Sequence, residues 1–164
     1  MTALVALGAL LVTLVRAPER LPPPGERGHR IFRVSREAVR GIDVTLGERH
    51  FVAQRTADGW SIDGRPAGRR AAEALDDLSH MLTTLRAVDV FRHDEPSHFG
   101  LDDPSGTITL STARGEHRLS LGSHNSASTT LYARRDDDPR LLQVGTLLIS
   151  SLDRVLYSRD HPGD

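Results

Sequence analysis

A chain of 164 residues is long enough for one folded domain with a real core and not for two. Hydrophobic residues at 38% and charged residues at 26% suit an ordinary folded domain, and the absence of cysteine excludes a disulfide scaffold, a Cys-type zinc site and a thiol nucleophile. The net charge of −1, with no dense basic patch interleaved with aromatics, argues against a nucleic-acid partner.

All 21 basic residues are Arg, a compositional bias rather than a motif. The charge is nevertheless uneven. Residues 1–40 carry seven Arg against three Glu, and residues 41–164 carry fourteen Arg against nineteen acids. The basic excess follows an apolar start, where it can meet anionic lipid headgroups.

Thr2 to Val15 is free of charge. As a helix it would be about 21 Å long, short of a hydrocarbon core of about 30 Å unless Arg16 snorkels. Residues 1–16 are expected to form an uncleaved membrane anchor. A cleaved signal segment and a soluble core helix are the other readings, but Arg16-Ala17-Pro18 is a poor cleavage site, and so apolar a helix needs burial all round. Basic residues follow the run and none precedes it, so the positive-inside rule taken literally puts the domain in the cytoplasm. Residues 17–30, with Pro22-Pro23-Pro24, form an extended spacer.

The folded domain is expected over 31–157. Ile42, Val44 and Leu46 alternate with polar residues as in a half-buried strand, Gly47-Glu48 turns, and Phe51 to Arg55 returns. Ala57-Asp58-Gly59 turns into a short strand at Trp60-Ser61-Ile62, where Trp60 plugs the core. From Gly68 to about Arg86 the period becomes helical: Ala71, Ala74, Leu75, Leu78, Met81, Leu82 and Leu85 form one stripe. His80 falls near the solvent side, with no second ligand one turn on.

Val88 to Phe91 is a further strand. Thr107–Ser111 and His117–Leu121 form a hairpin, Gly122–Thr129 a loop, and Leu131–Arg134 and Leu141–Val144 two more strands. Thr146 is placed as N-cap of a last helix with Leu148, Leu152 and Val155 inward, and residues 158–164 as a polar tail. The fold class is α+β, antiparallel strands with two packed helices behind an N-terminal apolar anchor helix. Residues 31–86 and 87–157 read as two strand-then-helix halves, a possible duplicated βββα unit.

The enzyme-like cluster is His93, Asp94, His98, Asp102 and Asp103, which could ligate a metal or share a proton. The spacing fits no familiar site. A structural turn explains Phe99, Gly100, Leu101, Asp102 and Pro104 better: Gly100 supplies a positive φ, Asp102 or Asp103 bonds nearby amides, Leu101 plugs the core and Pro104 fixes the next φ. No catalytic, metal or cofactor-binding residue is assigned, and no cofactor is expected. Asp136-Asp137-Asp138 lacks the spacing of a calcium loop and reads as a solvated hairpin tip among Arg134, Arg135 and Arg140. The 122–130 loop offers hydroxyls and amides to a sugar or lipid, with a plain loop as the bland reading.

The order Gly59-Trp60-Ser61-Ile62, Phe99-Gly100-Leu101-Asp102-Asp103-Pro104, Leu119-Ser120-Leu121-Gly122 and Tyr132 resembles the bacterial "domain of unknown function 4340" family over about residues 31–157. The resemblance implies an N-terminal membrane anchor and a domain outside the cytoplasmic membrane, often beside auxiliary components of gliding-type ABC transporters. It implies no catalytic residues. The expected function is a membrane-anchored, non-enzymatic envelope module that binds or scaffolds a protein partner. A metal-dependent or acid–base hydrolase using the 93–103 cluster, and a sugar- or lipid-binding domain using the 122–130 loop, are the alternatives.

Overall fold

The computed structural model describes residues 28–92 and 96–161. The expected anchor and most of the spacer lie outside these residues. Among the described residues no helix is long and apolar enough to cross a membrane.

After a 3-10 turn at Arg36–Ala38 come β1 (Val39–Leu46), β2 (Arg49–Thr56), β3 (Gly59–Ile62), β4 (Arg65–Pro66) and α1 (Arg69–Thr84). Then follow β5 (Asp89–Phe91), a 3-10 turn at Pro96–Phe99, β6 (Gly106–Thr112), β7 (Gly115–His124), β8 (Thr130–Arg135), β9 (Asp138–Gly145) and α2 (Leu147–Asp160). All nine strands share one antiparallel sheet in the order β4-β3-β2-β1-β6-β7-β8-β9-β5. The α+β architecture with two helices is therefore observed.

Two meanders build the sheet, β1–β4 before α1 and β6–β9 before α2. They join where β1 meets β6, with Ile42 opposite Leu110 and Val44 opposite Ile108. Each unit has four strands rather than three, and β5 stands outside both, on the edge of β9. Alternation dictates the layering. Ile42, Val44, Phe51, Ile108, Leu119 and Leu131 point to one face and are at most 2% exposed. Leu75, Leu78 and Leu82 of α1 and Leu148, Leu152 and Val155 of α2 cover that face and complete the core. Trp60 belongs to this core, and His80 is exposed.

Several boundaries differ from those read in the sequence. The fold is tied down from Gly28, because Gly28 N–H donates to Ala87 O at 3.0 Å and Ile31 N–H to Leu85 O at 2.9 Å. Backbone pairing replaces the last part of the spacer. Thr146 makes no side-chain cap, since it is already in the helical region with φ −65° and ψ −14°. The residues read as a tail extend α2 to Asp160, because Ser158 is buried and continues the inner stripe. The strand β4 was not anticipated; Pro66 has no N–H to donate and stands at the sheet's edge, where such a residue is tolerated.

Candidate functional site

The 3-10 turn Pro96–Phe99 delivers the chain to Gly100, whose φ of +68° a side-chain-bearing residue rarely adopts. The turn then runs backbone to backbone against the end of β7. A Cβ at Gly122 would overlap the Phe99 carbonyl oxygen and lie 3.2 Å from Leu101, and a Cβ at Gly100 would overlap the Ser123 hydroxyl. Two glycines 22 positions apart thus leave the space through which one segment lies on the other.

The aromatic rings follow from this seat. Phe99 meets Tyr132 edge-on at 4.6 Å between ring centres and Phe91 at 5.8 Å, and Phe91 meets Tyr132 at 6.1 Å. Such edge-to-face pairs add about 0.5–1.5 kcal/mol each beyond their burial. Leu101 and Leu141 are 3% and 1% exposed, yet both stand apart from the helix-covered core. Leu101 is therefore buried, but not in the main core. It packs on the side of the sheet opposite the helices, because Gly122 follows Leu121 and faces the other way.

Ser105 closes the turn. Its hydroxyl donates to Leu121 O at 3.2 Å and Gly122 O at 3.0 Å. Neither Ser105 nor Phe91 and Leu141 was picked out from the sequence. A glycine inside a strand marks a close backbone approach, and Gly122 was the one available signal.

His98, Asp102 and Asp103 are exposed, and His93 and Asp94 lie outside the described residues. Among the described residues neither the Asp102 nor the Asp103 carboxylate accepts a hydrogen bond, so the expected bond to a turn amide is not seen; the glycine contacts shape the turn instead. No three potential ligands converge on a metal position among the described residues. Pro104 is exposed.

The Asp136–Asp138 run is divided among three arginines. Asp138 takes Arg140 through both oxygens at 2.7 and 3.0 Å, Asp137 pairs with Arg135, and Asp136 stands 3.9 Å from Arg118. The Arg140 hydrogen bonds, opposed by partial burial, hold Asp138 at about 2, well below the usual carboxylate range. The expected 122–129 loop is shorter than read. Strand β7 continues to His124 past an irregularity, and Asn125 Oδ1 accepts the amides of Thr129 and Thr130 at 2.9 and 3.2 Å.

In the first meander a polar contact ties sheet to helix. Asp76 of α1 accepts Trp60 Nε1–H at 3.0 Å and Arg55 at 2.6 Å, and the Arg55 guanidinium stacks 4.3 Å over the Trp60 ring. Burial works against the Asp76 charge, but the Trp60 hydrogen bond and the Arg55 charge outweigh it and lower its pKa. A cavity of about 480 Å³ lies between β3–β4, the start of α1 and the end of α2. Of its ionic groups, Arg159 is bound to Asp160 at 2.7 Å and lies 3.6 Å from Asp63.

Residues 93–156 match the model of a family described as Domain of unknown function (DUF4340). No curated protein and no solved structure matches the chain. The matched part contains the Phe99–Leu101 turn, both contacting glycines and Tyr132, which are the features that carried the resemblance in the second half of the chain. Residues 93–156, the region built around this turn, are thus what makes the chain similar to the domain of unknown function 4340 family.

Proposed function

We propose that the chain is a membrane-anchored, non-enzymatic module of the cell envelope whose folded part binds or scaffolds a protein partner, with an ABC-transport complex as the candidate assembly. One observation carries this reading. Helices α1 and α2 cover one side of a nine-stranded sheet, while the other side carries the Phe99–Leu101 turn at the end of β7 and, among the described residues, no helix over β1 and β2. That other side offers Thr45, His50, Gln54 and Arg118 to solvent, a broad polar surface of the kind a partner can read through hydrogen bonds. Phe99, Gly100 and Leu101 of the family motif are meanwhile engaged in packing the turn.

Crosslinking and pull-down from native membranes test the reading. A discrete partner is expected, and its capture should weaken when Thr45 and Gln54 are replaced by Arg with the thermal transition unchanged. Hydrolysis by the purified chain, abolished by Asp102→Ala at unchanged melting temperature, would overturn it in favour of an enzyme using the 93–103 cluster.

A further inference from the structure

Residues distant in sequence meet where the chain comes into the fold. Arg30 and Arg86 are antiparallel bridge partners, so two like charges stand directly opposite each other, an arrangement that costs stability in isolation. Both are exposed. Arg86 donates to Gly28 O, and Arg33 lies 2.7 Å from His29 Nε2. None of Arg30, Arg33 and Arg86 forms an ion pair among the described residues. Arg135, which donates to Ile31 O at 2.7 Å, is itself paired with Asp137.

An apolar side chain completes the corner. Arg86 and Val88 are exposed on either side of buried Ala87, and Val88, at the bend two residues after Arg86, is 53% exposed. Cations around a projecting apolar side chain are the pattern of a surface that lies on a bilayer. The position agrees. Only residues 17–27 separate this corner from the apolar run that ends at Val15-Arg16, a length of about 34 Å at the polyproline rise per residue. No other part of the domain is held so near to that run along the chain.

We infer that Arg30, Arg33, Arg86 and Val88 form a docking surface for anionic membrane lipid, which orients the domain on the bilayer. The inference rests on the proposed N-terminal anchor. Each arginine near an anionic surface favours the docked state roughly fivefold, and the effect weakens as salt shortens the screening length.

The native chain has no cysteine, so one introduced label is unambiguous. The full chain is placed in phosphatidylcholine nanodiscs with or without phosphatidylglycerol, with a fluorophore at Val88→Cys or, as control, at Ala113→Cys in the β6–β7 turn. Quenching by headgroup-labelled lipid is then read. The expected result is strong quenching at position 88 only with phosphatidylglycerol, lost in high salt and reduced at least tenfold in docked population by Arg30→Gln with Arg33→Gln. Arg86→Gln should add to the loss, and thermal melts separate misfolding from undocking. Equal quenching in both lipids, or none at position 88 in chains that resist alkaline extraction, overturns the inference and leaves the anchor standing. If the chain is extracted, the anchor reading fails instead. The same labels on chains added to preformed vesicles then decide the corner: quenching only with phosphatidylglycerol keeps it, and none removes it.

Discussion

In the first meander a segment outside the sheet is held by charge and hydrogen bonds: Asp76 of α1 gathers Trp60 Nε1 and Arg55 on the helix side. In the second, the Phe99–Leu101 turn is held on the opposite side by missing atoms, the absent Cβ groups of Gly100 and Gly122, and by three aromatic rings. The two arrangements should fail differently. A half-exposed polar contact that loses a partner turns back to water, so its loss is modest. A backbone-to-backbone seat has nowhere to move, so one added methyl is felt in full.

The largest effect is therefore expected at Gly122→Ala, which should lower stability by about 3 kcal/mol or more, read from urea midpoints at unchanged slope. An alanine variant as stable as wild type would mean that the turn does not rest on β7. Next comes Phe99→Ala, at about 2 kcal/mol because the ring is half-buried. Tyr132 should report it through near-ultraviolet circular dichroism, since Phe99 is the ring nearest to it.

Acid sharpens the comparison within the second meander, which has its own polar contact at the β8–β9 turn. The folded Asp138 titrates at about 2 against an ordinary 3.8. Its contribution is then complete above the ordinary value and is lost as pH falls from about 4 toward 2, on the order of 1–2 kcal/mol. Asp138→Asn should flatten that limb of the stability-versus-pH curve, and an unchanged limb would detach Arg140 from stability.

Asp76→Ala is expected to cost about 1 kcal/mol and to shift the emission of Trp60, whose ring loses its acceptor. A loss as large as that of Gly122→Ala would erase the distinction between the two meanders. At the small end, Arg154→Gln breaks the exposed pair with Asp77 and should change stability by less than about 0.5 kcal/mol.

Local pattern made much of this fold legible. Alternation at Ile42–Leu46 and Ile108–Leu110 gave strands facing the helices, and the three- and four-residue spacing from Ala71 to Leu82 gave α1. The end of α1 was read slightly late, at Arg86 rather than Thr84, because Leu85 continues the stripe while its backbone has left the helix. Of the turn residues, Gly100 carries the positive φ expected of it and Leu101 is buried. The side on which Leu101 is buried could not be read, because it depends on which strand the turn crosses.

The amino-acid sequence by itself determined the strand and helix periods, the placement of hairpin turns and the motif string that marks the family. Those are short-range matters, set by side-chain alternation, helical spacing and glycine conformational freedom. Only the tertiary structure decided that β1 pairs with β6, that β5 closes the far edge, that Gly100 and Gly122 leave room for each other, and that Arg30 stands beside Arg86. Each of these joins residues far apart in the chain, and such pairs are selected by burial of the whole sheet face, which no local window of sequence contains.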